Sequence, residues 1–90
     1  MSRWLDQNRE RKSLARMRPA ARAAFKKVGQ RLQELRVARG LSQEEAAGRA
    51  SISPKTLQDY ERGASNPTLA SLVAVAEAYG ISLGKLFEEL

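Results

Sequence analysis

The sequence predicts an all-α protein, and three observations carry that reading. Apolar residues recur at steps of three and four along most of the chain, the spacing of a buried helical face. No segment shows the period-two alternation of a half-buried strand. Aromatics make up only 6% of the 90 residues while Ala and Leu are common, which favours helices over a β-sandwich. With 42% apolar residues, a chain of this length closes one small hydrophobic core.

The elements follow in order. Leu14, Met17, Ala21, Phe25, Val28, Leu32 and Leu35 form one helical stripe. Pro19 interrupts it, because a mid-helix proline loses a hydrogen bond and clashes with the preceding turn. A short helix is expected before Pro19, and a firmer one that holds Pro19 in its first turn. This second helix runs to about Arg39, where Gly40 supplies the left-handed residue that ends it. Ser42-Gln43-Glu44-Glu45 then reads as a capping box, opening a helix that ends near Ala50. Ser51-Ile52-Ser53 is a three-residue turn, and Ser53 caps a helix whose first residue is Pro54. That helix carries Leu57 and Tyr60 to Arg62, and Gly63 closes it. Thr68 caps the next, with Leu69, Leu72, Val73, Ala76 and Tyr79 expected inward and Gly80 at its end. Ser82 begins the last, which carries Leu83, Leu86, Phe87 and Leu90.

Two short helices joined by a three-residue turn, with small Ala46, Ala47 and Ala50 at the crossing, describe a helix-turn-helix. The expected organisation is a basic, partly helical N-terminal extension over residues 1–24 and a five-helix domain over residues 25–90.

Charge is distributed unevenly. The chain carries +6, but residues 1–27 hold nine Lys/Arg against Asp6 and Glu10, a balance of +7. Residues 28–90 hold seven against eight, a balance of −1. A basic block of this kind attracts polyanions, and nucleic acid is the usual one; the alternative is a solubilising tail. There is no cysteine and no histidine, so disulfides and thiolate zinc sites are excluded and neither metal nor cofactor is expected. No glycine-rich phosphate loop precedes a helix, and an enzyme is not expected. No apolar run approaches a membrane span, and the basic N-terminus lacks the apolar stretch of a signal peptide, so a cytoplasmic location is expected.

Leu41-Ser42-Gln43-Glu44-Glu45-Ala46-Ala47, Ile52-Ser53, Leu57, Tyr60-Glu61-Arg62-Gly63 and Asn66-Pro67-Thr68-Leu69 closely resemble the lambda repressor/Cro-type (XRE) family of helix-turn-helix proteins. The resemblance covers roughly Val28 to Phe87 and includes the final Ile81-Ser82-Leu83-Gly84-Lys85-Leu86-Phe87. It implies a lambda-repressor-like DNA-binding domain that lays the helix starting at Pro54 in the major groove. Pro54, Lys55, Thr56, Gln58 and Asp59 would then form the base-reading face. Lys55 suits guanine O6 and N7, Gln58 adenine, and Asp59 cytosine N4, while the Pro54 ring suits a thymine methyl. Gln43 matches the family's phosphate-anchoring glutamine at a helix N-terminus. Ser53, Arg62, Ser65 and Asn66 are further phosphate candidates. Arg36 and Glu61 match a buried ion pair common in the family, a structural rather than a functional role. Ser51 departs from the pattern, standing where the family usually places a glycine with positive φ.

The implied function is a sequence-specific transcriptional regulator, most simply a repressor, bound to an inverted-repeat operator in double-stranded DNA. A single recognition helix buries too little surface for ordinary operator affinity, so a homodimer is expected through Leu83, Leu86, Phe87 and Leu90, with Leu86 and Phe87 also suited to the monomer's own core. Lys26 and Lys27, with Arg16, Arg18 and Arg22, are candidates for phosphate or minor-groove contact. Alternatively, Trp4, Leu5, Leu14 and Met17 pack on a protein partner. The same helix-turn-helix also suits an antitoxin of a toxin–antitoxin pair or a restriction–modification controller, each using it for autoregulation.

Overall fold

The computed structural model describes residues 18–88 and residue 90, and within them the chain is helical with no strand. The helices are α1 (Pro19–Ala38), α2 (Gln43–Ala50), α3 (Pro54–Glu61), α4 (Leu69–Ala78) and α5 (Leu83–Phe87). Expectations placed on Trp4, Leu5, Leu14, Arg16 and Met17, and on a short helix before Pro19, lie outside the described residues.

Local chemistry accounts for each boundary. Pro19 opens α1 directly after Arg18, and α1 runs unbroken past residues 24 and 25. Gly40, with φ 65°, follows its end. The capping box of α2 is complete: Ser42 Oγ accepts from the Glu45 N–H at 3.0 Å, and Glu45 Oε1 accepts from the Ser42 N–H at 3.2 Å. Those bonds from Ser42 hold the Glu45 carboxyl below the usual carboxylate range. Ser53, Thr68 and Ser82 cap α3, α4 and α5 in the same way, each accepting from the backbone N–H three residues on. Ser51 adopts the left-handed conformation, φ 58° and ψ 38°, that the turn between α2 and α3 demands.

The core is formed by Leu32, Leu35, Leu41, Ala46, Ala47, Ala50, Leu57, Tyr60, Leu72, Val75, Ala76, Tyr79 and Leu86. The alanines of α2 leave room for both α3 and α4 to lie against it. Two expectations are corrected here. On α4, Val75 is wholly buried, whereas Leu69 is 63% and Val73 38% exposed. Only Ser71 and Glu77 break an otherwise apolar α4, so its own pattern does not choose a face; packing against α2 and α5 does. On α5, Leu86 is wholly buried in the chain's own core, because α5 folds back on α1 and α4. Leu86 therefore offers no surface to a second subunit. Phe87 and Leu90 are exposed, and Leu83 is half-buried against the core.

Two arginines tie α1 and its C-cap to segments remote in sequence. Arg39 Nε donates to the Tyr79 carbonyl, and Arg31 Nη2 donates to the Lys85 carbonyl at 3.2 Å. Among the described residues, no helix is long and apolar enough to cross a membrane.

Candidate nucleic-acid interface

Helix α3 divides cleanly between two environments. Leu57, Tyr60 and Glu61 are buried, while Pro54, Lys55 and Gln58 are exposed and Thr56 and Asp59 are half-buried. The helix starts on Ser53, whose Oγ accepts from the Thr56 N–H at 3.0 Å and lies 2.8 Å from Thr56 Oγ1. Both hydroxyls thus converge at the α3 N-terminus. Lys55 Nζ donates to both Asp59 carboxylate oxygens, at 3.2 and 3.3 Å, across one turn. With Lys55 75% and Asp59 28% exposed, the pair contributes only about 0.3–0.5 kcal/mol. It is readily exchanged for contacts to a ligand.

Beneath this face sits a buried ionic cluster. Arg36 on α1 donates to Glu61 on α3 through Nε at 2.7 Å and Nη2 at 3.1 Å, and through Nη1 to the Leu41 carbonyl at 2.9 Å. The side chains are 11% and 3% exposed. The bond to Glu61 raises the Arg36 guanidinium pKa above its ordinary value despite burial. Gln43, the first residue of α2, donates from Nε2 to Glu61 Oε1 at 3.2 Å and is half-buried. The ion pair therefore anchors Gln43 as well as bracing α1 against α3. Burial pushes the Tyr79 phenol up to about 12.

The crossing of α1 over α3 is close enough to require glycine. A Cβ on Gly29 would lie 2.4 Å from the Tyr60 carbonyl oxygen and 2.6 Å from that of Glu61. One on Gly63, at φ 67°, would lie 2.9 Å from Lys26 Cα. Sequence reasoning missed Gly29, although a lone glycine amid good helix formers was the available signal. The same crossing separates two residues that the sequence treats alike. Lys26 rests against Gly63, at the entry to the loop holding Ser65 and Asn66. Lys27 instead lines a groove of about 270 Å³ with Gln30, Arg31, Glu34, Glu88 and Leu90. Arg62 and Asn66 are exposed and Ser65 is half-buried.

The family described as Helix-turn-helix matches residues 32–86, which span α1 from Leu32 through α5 to Leu86. The chain belongs to the XRE-type helix-turn-helix family. Similar members of this helix-turn-helix family include the HTH-type transcriptional regulator DdrOP3 of Deinococcus deserti, 47% identical over 62 residues, covering 69% of this chain and 48% of the relative. The immunity repressor protein of Bacillus phage phi105 is 42% identical over 62 residues, covering 69% and 43%. This chain thus spans about half the length of those two relatives. Among solved structures, the restriction–modification controller protein C.AhdI from Aeromonas hydrophila superposes with a TM-score of 0.71 at 40% identity. That likeness covers 72% of this chain and 98% of C.AhdI.

Proposed function

We propose that the chain is a sequence-specific DNA-binding transcriptional regulator, acting in the cytoplasm as a repressor on an inverted-repeat operator. The observation that carries this reading is the polar outer face of α3, held at the surface by a buried inner face of Leu57, Tyr60 and Glu61. Pro54, Lys55, Thr56, Gln58 and Asp59 read base edges, with Lys55 exchanging its bond to Asp59 for guanine O6 and N7. Gln43, Ser53, Arg62, Ser65 and Asn66 hold the phosphates on either side. Selection of binding sites from random duplex DNA tests the reading. The expected outcome is an inverted repeat with half-sites about 10 base pairs apart. Lys55→Ala should relax one position in each half-site. Enrichment of no sequence would overturn the reading.

Two copies pair through Leu83, Phe87 and Leu90 around the last helix. Phe87→Glu with Leu90→Glu should convert a sedimenting dimer into a folded monomer. A double variant that still sediments as a dimer places the interface elsewhere. A second reading, a restriction–modification controller, is favoured by the likeness to C.AhdI over nearly its whole length. In that case the selected operator lies upstream of the chain's own gene and a restriction system.

A further inference from the structure

The family match begins at residue 32, whereas α1 begins thirteen residues earlier, at Pro19. Together with Arg18, this added stretch carries Arg18, Arg22, Lys26, Lys27 and Arg31, and no acid falls between Arg18 and Glu34. The packing of α1 sorts these cations into two groups. Arg31 is bonded to the Lys85 carbonyl, and Lys27 shares the groove beside α5 with Glu34 and Glu88. Lys26 lies on another side, against Gly63 at the end of α3. Arg22 and Lys26, four residues apart, share one side of the helix, Arg18 at its N-cap extends that row, and all three are exposed. Among the described residues, none of the three is in an ion pair. The acids of α3 are engaged elsewhere, Asp59 with Lys55 and Glu61 with Arg36.

We propose that Arg18, Arg22 and Lys26 form a second DNA-binding surface, one that takes the phosphate backbone of the duplex flanking the half-site read by α3. This deepens the proposed function and rests on α3 facing the groove. Lys26 joins the row to the Arg62–Asn66 edge of that interface, which makes the two surfaces continuous. The row extends about 12 Å along the helix axis, and a duplex presents one negative charge per about 1.7 Å. Several phosphates therefore lie within reach of three flexible cationic side chains. Such contacts carry no base information, so they add affinity and salt dependence without adding to the consensus.

The test compares the wild-type protein, the triple variant Arg18→Ala/Arg22→Ala/Lys26→Ala, and Lys27→Ala as a control. Alanine favours helix, and circular dichroism establishes that each variant is folded. Dissociation constants are measured across a salt series on the selected operator and on a scrambled duplex of equal length. The slope of log K against log salt should fall by about 0.9 per lost phosphate contact, or about 1.8 per residue in a two-fold dimer. The fall should appear on both duplexes, with the preference for the operator retained and Lys27→Ala behaving as wild type. Extending an operator trimmed to its half-sites by about six base pairs at each end should tighten wild-type binding but not that of the triple variant. Unchanged slopes on both duplexes overturn this inference and leave the operator reading standing. A slope that falls on duplexes showing no operator preference supports it while removing the reading of α3 as sequence-specific.

Discussion

Gly29→Ala should destabilise the domain by about 3 kcal/mol or more, the upper range for forcing extra volume into a packed site. In an open helix interior the same change gains about 1 kcal/mol. Here the sign reverses, because the new methyl would lie 2.4 and 2.6 Å from two carbonyl oxygens of α3. Backbone atoms do not swing aside as a side-chain terminus does. Relief requires α1 and α3 to separate, which also disturbs the Arg36–Glu61 pair one helical segment further on. Thermal unfolding followed by circular dichroism should show Tm falling by roughly 12–24 °C, at 4–8 °C per kcal/mol for a domain of this size. A Tm within a degree or two of wild type would mean that the helices do not cross there.

Removing either partner of the buried pair should be comparably severe. Arg36→Ala leaves the Glu61 carboxylate, 3% exposed, with Gln43 as its remaining side-chain partner. The expected loss is about 3–5 kcal/mol, read from the urea midpoint at constant m-value. Glu61→Ala should cost a similar amount by stranding the guanidinium. The double variant Arg36→Leu/Glu61→Leu should regain most of that stability, since apolar residues of similar size remove both desolvation costs together. DNA binding should not recover in parallel. Without Glu61, Gln43 loses the acceptor that holds its side chain, so affinity for the selected operator should remain weakened in a stable protein. Recovery of both stability and affinity would show that Glu61 does not position Gln43.

Much of the architecture is legible in the sequence because its signals are local. Ser42 and Glu45 bond each other's backbone across three residues, and Ser53, Thr68 and Ser82 repeat half of that arrangement. Such geometry depends on a single turn of chain, and so the helix starts agree with the structure. The left-handed Ser51 was likewise visible as a departure at a position that wants glycine. The face of α4 was less legible. A helix with two polar residues in ten satisfies several inward faces, so Leu69 and Val73 were expected inside and Val75 was not. For a related reason the sequence places Leu86 at the dimer interface with the chain's own core as the alternative, and the structure takes the second. An apolar residue near the chain end suits a core or an interface equally until the return of α5 onto α1 is known.

By itself, then, the sequence determined the helices, their caps, the three-residue turn and the polar outer face of α3. Only the tertiary structure decided what those helices present to one another. It set Gly29 against the α3 carbonyls, gave Gln43 to Glu61, and sent Lys26 and Lys27 to different sides of α1. The physical reason is the range of the interactions involved. Caps and turns are set by hydrogen bonds between residues a few positions apart. The crossing of α1 with α3 is set by packing between residues more than 30 positions apart, where a rotation of about 100° per residue assigns adjacent side chains to different neighbours.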